Sequence, residues 1–402
     1  MGLLTKKVHQ MPPKKTISIL YVISGLQVGG TENHLVQLLT ELVNEGIEPT
    51  VFSFEGKGPM STPLREAGVR LVYPPFPSLF RIFPGKFIKA LFFFFGVFSL
   101  LKFILKNRPI IIHMFLPAAY MFGGIAALIG RVPIKIMSRR SRNHYQKKYP
   151  FVQALEKILH KRMTLLIGNS LKVTEDLIKE ARNKEQIRTL YNGVKIKKLI
   201  SNEDRFRLRS KLGICPETVV FIMTANLITY KGHQFLLESL ALVKDELGEN
   251  WALFALGESR GNLKNLRESA ERLGLGKKVH WLGLKEDVRH FLLASDVGIL
   301  CSYEEGFSNS ILEYMEAGLP AIVTNVGGNA EAVVDGKTGL VVESKNCESL
   351  SAAVLALQRN QKRRVKMGNL ARKRVSNLFN QKRAKRNYLD MYSELVEQLQ
   401  ET

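Results

Sequence analysis

The chain predicts an α/β protein of two doubly wound, Rossmann-like domains facing a central cleft. Two observations carry this. Short continuous apolar runs rich in β-branched residues alternate with stretches of helical periodicity, the pattern of βαβα units with a buried parallel sheet. The pattern occurs twice, with a turn and a charged stretch over residues 191–211 between the two sets, and 402 residues suit two domains of roughly 100–200 residues each. We read residues 1–195 as the first domain, 196–375 as the second and 376–402 as a C-terminal helical segment.

In the first domain, residues 16–24 (TISILYVIS) form an unbroken apolar run, hence a strand buried on both faces. A glycine-rich loop, 25–30, leads into a helix over 31–44, where Leu35, Leu38, Leu39 and Leu42 share one face. Strands follow at 49–54 and 69–73. Residues 87–105, with four consecutive phenylalanines at 92–95, form an apolar helix interrupted by Lys89 and Lys102. Its uncharged stretch, 90–101, has 12 residues, short of the roughly 20 needed to span a bilayer. Arg81, Lys86, Lys106 and Arg108 flank it, so it suits a bilayer interface or, equally in kind, the core of the domain. A strand at 109–113, a helix at 118–129 and strands at 133–137 and 165–168 complete the set. The second domain repeats the pattern with strands at 219–224, 251–256, 279–281, 297–300, 321–324 and 339–342. The tail is dense in Lys and Arg over 359–386 and amphipathic over 388–399.

Composition narrows the function classes. Three distant cysteines (Cys215, Cys301, Cys347) without a CxxC argue against a disulfide framework or a zinc site and suit a reducing cytoplasm, and no metal-ligand spacing stands out elsewhere. Residues 1–15 are polar and basic without an apolar core, which predicts no secretory signal. Charge is uneven: residues 1–195 hold 29 Lys/Arg against 11 Asp/Glu, residues 196–402 hold 30 against 25. That excess implies an anionic partner, with simple solubility as the alternative. No RNA-binding aromatic motif or helix-turn-helix pattern points to nucleic acid.

Four segments carry chemistry. Gly29-Gly30 sits in a strand-to-helix turn that lets a ligand approach the backbone at a helix N-terminus; a plain tight turn reads the same way. Lys231-Gly232 follows the first strand of the second domain, where a lysine can stabilise a diphosphate leaving group or simply be an exposed loop residue. Glu305 and Glu313 bracket a loop turning into a helix, the arrangement a nucleotide sugar needs for its diphosphate, ribose diol and sugar hydroxyls. The same letters, Ser310-x-x-Glu313, also match a capping box. A further glycine-rich turn, Gly327-Gly328, precedes a short helical stretch.

Together these segments resemble the retaining nucleotide-sugar glycosyltransferases of family 4, or group 1, with the two-domain GT-B fold. The matching pieces are GGTENHL at 29–35, NGV at 192–194, YKG at 230–232 and EGFSNSILEYMEAGLPAIVTNVGGNAEAVVDGKTGLVV at 305–342, within a likeness covering about 16–350. The resemblance implies that Gly30 approaches the donor phosphates, Lys231 holds the diphosphate, Glu305 lies by the donor sugar and reacting centre, and Glu313 accepts from the ribose diol. It implies that the backbone of Phe307, Ser308 and Asn309 faces sugar and phosphate and that the Gly283 loop lines the base. It also implies a C-terminal helix crossing back to the first domain. Three positions depart from the family pattern: Asn226 stands where an arginine is usual, His113-Met114-Phe115 where His-x-His is usual, and Arg139 where a strand usually ends in histidine. His113 is kept as a catalytic candidate, and Arg139, Arg140 and Arg142 as candidates for an anion or acceptor contact, Arg139 as a replacement for the charge missing at 226.

The reaction implied is transfer from a UDP-, GDP- or ADP-sugar to an acceptor hydroxyl with retention, without a metal and without another cofactor. The acceptor would be a glycan or lipid-linked sugar of surface polysaccharide, lipopolysaccharide or glycolipid synthesis, handled by a peripheral enzyme on the inner face of the cytoplasmic membrane. A sugar-nucleotide epimerase of the same fold and a non-catalytic basic membrane-binding module are the competing readings.

Overall fold

The computed structural model describes residues 17–75, 86–142, 146, 149–181 and 183–401, with the backbone alone for 86–93. The basic N-terminal stretch and Arg81 lie outside the described residues. In chain order the first set of elements is β1 (Ile17–Ile23), α1 (Gly30–Val43), β2 (Ile47–Ser53), α2 (Ser61–Glu66), β3 (Arg70–Val72), α3 (Lys86–Asn107), β4 (Ile111–Phe115), α4 (Pro117–Ile129), β5 (Ile134–Arg139), α5 (Pro150–His160), β6 (Leu165–Gly168), α6 (Leu171–Glu180) and β7 (Ile187–Thr189). Their strands form a seven-stranded sheet in the order β3-β2-β1-β4-β5-β6-β7. β1 pairs in parallel with both β2 and β4, Ile17 opposite Ile47 and Ile19 opposite Ile111.

The second set is α7 (Asn202–Lys211), β8 (Val219–Thr224), α8 (His233–Leu242), α9 (Lys244–Leu247), β9 (Trp251–Leu256), α10 (Leu263–Arg272), β10 (Val279–Gly283), α11 (Val288–Ala294), β11 (Val297–Leu300), α12 (Asn309–Glu316), β12 (Ala321–Thr324), α13 (Asn329–Ala332), β13 (Gly339–Val342), α14 (Cys347–Gln358), α15 (Gln361–Leu378) and α16 (Gln381–Glu401). These strands form a parallel six-stranded sheet in the order β10-β9-β8-β11-β12-β13. The chain steps outward from β8 to β10, returns to β11 beside β8, and steps the other way. The strand order therefore reverses between β8 and β11, the point at which ligands bind in open α/β sheets. The first sheet reverses in the same way between β1 and β4.

Burial on both faces explains why the strands read as unbroken apolar runs. In β8, Val219, Phe221 and Met223 pack into one core with Leu236, Leu253 and Leu350, while Val220 and Ile222 pack into the other with Ile311, Leu312 and Met315. The strand that sequence periodicity misses, β7, lies at a sheet edge, is three residues long and only half-buried, and carries Arg188, which pairs with Glu394 at 2.5 Å. β4 runs on to Phe115, two residues past the expected end at 113.

The chain divides into two compact units: Met1–Met137 with Arg162–Leu165 and Leu395–Thr402, and Ser138–Lys161 with Leu166–Glu394. The sheets part between Thr189 and Val219, around the 195/196 boundary, yet residues 138–161 and 166–194 group with the second sheet. Direct bonds within that unit account for this. The Glu331 carboxylate accepts from the N–H groups of Leu171 (2.8 Å) and Lys172 (3.0 Å) at the start of α6 and from the Tyr191 hydroxyl (2.9 Å). Asn192, 2% exposed, accepts from Arg140 and donates to the Phe307 carbonyl and Asn309 Oδ1.

Helix α3 presents two faces. Gly96, Leu100 and Ile104, four residues apart, are buried, with Gly96 against Phe54. Phe94, Phe98 and Leu105 are 56–58% exposed. Among the described residues no helix is long and apolar enough to cross a membrane.

Candidate active site

Lys231 and Glu305 meet at the reversal point of the second sheet because of two loops that only certain residues allow. The loop after β8 makes one 3₁₀ turn, Thr229–Lys231, and ends at Gly232 with φ +81°. A Cβ at Gly232 would run into the carbonyl of Cys301, just past the end of β11, so glycine alone permits this crossing. Tyr303 N–H donates to the Tyr230 carbonyl at 2.7 Å and fastens the two loops together. Lys231 Nζ then lies 2.6 Å from Glu305 Oε1. Burial opposes the ammonium charge, but the Glu305 carboxylate beside it keeps the Lys231 pKa above its ordinary value.

Glu305 is 9% exposed and held from behind. Its Oε1 also accepts from Ser302 Oγ at 2.6 Å, and the Ser302 carbonyl accepts from Thr324 at 2.6 Å. Glu305 Oε2 has no hydrogen bond among the described residues, so one oxygen is saturated and the other remains available to a ligand hydroxyl. Glycines again permit the packing: a Cβ at Gly306 would strike the Arg140 carbonyl, and one at Gly327 (φ +52°) the Glu305 carbonyl.

Glu313 lies in the second turn of α12. The helix starts at Asn309 with Ser308 as N-cap, and Ser310 Oγ donates to the Thr224 carbonyl at the end of β8, 2.6 Å away. The capping-box alternative is therefore not realised: Ser310 ties the helix to β8, and Glu313, three residues on, shares its face of the helix. The Glu313 carboxylate has no hydrogen-bond or ion-pair partner among the described residues. Burial, with a smaller contribution from the Glu316 charge, raises its pKa to about 7. Glu316 itself binds the linker before α7: it accepts from Lys197 N–H at 2.9 Å and pairs with Arg289 and Arg372.

The remaining second-sheet candidates fall around these groups. The N–H groups of Phe307 and Ser308 have no partner among the described residues, as expected at a helix start. The Phe307 side chain is buried, its ring 4.9 Å from Tyr191 and 5.1 Å from Phe379. Gly283, at the end of β10, is exposed with φ +67° and open space where a Cβ would be. Asn226 Oδ1 accepts from Glu258 N–H at 3.1 Å and so fastens the loop after β9 to the loop after β8. That loop carries Arg260, which pairs with Glu258 at 2.9 Å and whose charge reaches the Tyr230 hydroxyl; the Tyr230 ring lies 5.2 Å from Lys231 Nζ. Sequence reasoning missed Ser302 and Arg260, for which no motif signals a role; Tyr230 and Asn192 stood within the matched pieces YKG and NGV but were given no role of their own.

In the first unit, Gly29 is the N-cap of α1, where a Cβ would strike the Glu32 carboxylate, and a Cβ on Gly30 would meet nothing within 4 Å. His113 is inside β4, fully buried, its ring stacked at 4.4 Å on Phe115 and 5.7 Å from Tyr21. The three arginines have partners. Arg139, 4% exposed, donates twice to Glu180 at 2.8 Å and once to Glu156 at 3.1 Å. Against its burial, His160 and Arg139 hold the Glu180 carboxyl well below the ordinary range. This guanidinium neutralises two carboxylates in the interior. Arg140 donates to Asn192 at 2.5 Å and Arg142 to Asp176 at 3.0 Å. Among the described residues, Glu156, His160 and Glu180 are grouped closely enough to hold an ion, and Arg139 already fills that role.

Two family models match the chain: "Glycosyl transferases group 1" over residues 204–374 and "Glycosyltransferase Family 4" over 28–198. The chain is 29% identical over 295 residues to the capsular polysaccharide biosynthesis glycosyltransferase CapM of Staphylococcus aureus, covering 70% of this chain and 76% of that one. It is 27% identical over 307 residues to the Escherichia coli UDP-Gal:alpha-D-GlcNAc-diphosphoundecaprenol alpha-1,3-galactosyltransferase, covering 74% and 79%. Among solved structures, Anabaena Alr3699/HepE in complex with UDP and glucose superposes with a TM-score of 0.81 at 21% identity, over 94% of this chain and 100% of that one, a likeness of fold.

Proposed function

The chain belongs to the group 1, family 4 glycosyltransferases, and from that premise we propose that it moves a sugar from a nucleoside diphosphate sugar to a hydroxyl of a lipid-linked glycan, with retention at the anomeric carbon. The observation that carries this reading is the Lys231–Glu305 pair at the strand-order reversal, beside a helix bearing Glu313, whose carboxylate is unpartnered among the described residues. An ammonium has three donors. One serves Glu305, which leaves two for the diphosphate, and the N–H groups at the start of α12 add their partial charge. Because Glu305 offsets the charge of Lys231, further positive charge is needed for a dianionic leaving group, and we assign Arg260 to supply it by exchanging its exposed Glu258 partner for the diphosphate. Glu305 Oε2 accepts from a sugar hydroxyl, Glu313 from the ribose diol, and the open Gly283 turn admits the base.

Chemistry follows from this division of labour. The C–O bond to the diphosphate lengthens while Lys231 and the helix N–H groups stabilise the charge that develops on the leaving oxygen. The acceptor hydroxyl attacks from the same face, and its proton passes to the departing phosphate. His113 stays in the reading as a residue backing the acceptor side, acting from inside β4. Relatives acting on diphospho-undecaprenol-linked sugars favour a membrane-lipid acceptor, as does the exposed Phe94–Phe98–Leu105 face of α3 with Lys102 and Lys106, an arrangement that suits an interfacial helix on the inner face of the cytoplasmic membrane.

The test is a transfer assay with a panel of UDP-, GDP- and ADP-sugars and a polyprenyl-diphosphate-linked sugar, with NMR of the new anomeric centre. The reading expects release of nucleoside diphosphate together with a product that keeps the donor's anomeric configuration. An inverted product would overturn retention, and an epimerised nucleotide sugar without transfer would overturn the reaction class.

A further inference from the structure

Residues 349–389 contain 12 Lys or Arg and no Asp or Glu. Outside residues 359–386, where all twelve lie, the chain from 196 onward holds 18 basic residues against 25 acidic ones, so the modest net charge of that half conceals a concentrated basic surface.

Within α15 the structure divides most of these residues by type. Three arginines of α15 face the protein: Arg364 donates to the carbonyls of Leu357 and Gln358, Arg372 pairs with Glu316, and Arg374 donates to the carbonyls of Glu331 and Ala332. The lysines of α15 face solvent. Lys362, Lys366 and Lys373 are exposed and have no hydrogen-bond or ion-pair partner among the described residues. Spaced four and seven residues apart, they fall within about 40° of one another around the helix. Val365 (56% exposed) and Leu370 (40% exposed) flank the stripe. Lys382, Arg383 and Arg386, in the first turns of α16, are exposed as well.

We infer that this lysine stripe of α15 is a docking surface for an anionic lipid bilayer, a contact made by the donor-binding part of the chain and additional to the apolar face of α3. Mobile ammonium groups with flanking aliphatic side chains suit headgroup phosphates at an interface, which need no fixed geometry, whereas arginine forks would be expected if planar bidentate recognition were required. The inference rests on the reading that the enzyme works at a membrane, and the two can fail separately.

The experiment is sedimentation of the full-length chain with phosphatidylcholine vesicles and with vesicles enriched in phosphatidylglycerol, at low and high salt. A Lys362→Gln/Lys366→Gln/Lys373→Gln variant is expected to lose affinity for the anionic vesicles by roughly a hundredfold at low salt, about fivefold per lysine. It should keep wild-type thermal stabilisation by UDP and the residual binding to neutral vesicles. The Lys→Arg triple should retain the anionic preference. A Phe94→Ser/Phe98→Ser variant should lose the binding that survives high salt. Unchanged anionic binding in the Gln triple overturns this inference and leaves membrane docking through α3 standing. Equal displacement by a soluble oligonucleotide and by anionic vesicles would also overturn it, in favour of a nucleic-acid surface. Failure of the wild type to bind any vesicle would overturn the membrane reading itself.

Discussion

The protonation of Glu313 should govern donor affinity across the neutral range. Its carboxyl is raised to about 7, chiefly by burial, and a ribose diol can donate both hydroxyls only to the ionised form. Below pH 7 a growing share of the unliganded protein must first lose a proton before binding. At pH 5 only about 1% is ionised, so UDP affinity should fall about a hundredfold from its plateau above pH 8, some 2.7 kcal/mol at 1.36 kcal/mol per pH unit. Phosphate oxygens of the ligand titrate in the same range, near pH 6, so the comparison that matters is with Glu313→Gln, which retains the ligand's contribution and lacks the protein's. Calorimetric titration of UDP into both proteins between pH 5 and 8.5 makes the measurement. Stability has the opposite sign. A carboxyl whose pKa is raised on folding leaves the folded chain less stable as pH climbs from about 4.5 through 7, and Glu313→Gln should therefore stabilise the unliganded protein at pH 8 by about 3 kcal/mol. If wild type and Glu313→Gln show the same pH dependence of UDP binding, the ribose role of Glu313 is wrong.

Other substitutions separate the catalytic pair from its supports. Lys231→Met should reduce kcat/KM by at least about a hundredfold through loss of charge stabilisation on the leaving diphosphate, read from donor turnover. Gly232→Ala places a Cβ against the Cys301 carbonyl at φ +81° and should cost about 1–3 kcal/mol in denaturant unfolding while weakening UDP binding, because Lys231 moves with the loop. Arg139→Ala strands Glu156 and Glu180 in the interior and should cost about 3–5 kcal/mol of stability; UDP affinity of the folded fraction within twofold of wild type would separate this structural role from a donor contact.

Much of the fold was legible because strands such as β8 are buried on both faces, so their sequence is continuously apolar and needs no tertiary information to read. β7 was not, since its pairing depends on the edge of a sheet and an ion pair with Glu394 more than 200 residues away. The same distinction runs through the site. Lys231, Gly232 and Glu305 lie in loops whose glycines announce close backbone approach, and the structure brings Lys231 and Glu305 into contact. Whether Ser310 capped its own helix or bridged to Thr224 depended on a partner 86 residues away. Arg139 looked available in sequence because nothing near it is acidic; Glu156 and Glu180 reach it only through folding. The burial of His113 follows from a strand end that periodicity placed two residues early.

The arrangement at the heart of this account is checked most directly by a crystal structure of the enzyme with an intact, non-hydrolysable nucleoside diphosphate sugar. We expect the diphosphate within hydrogen-bond distance of Lys231 Nζ, the ribose hydroxyls on Glu313 and a sugar hydroxyl on Glu305 Oε2. A ligand seated elsewhere, with Lys231 and Glu305 still paired only to each other and Glu313 still unpartnered, would contradict it.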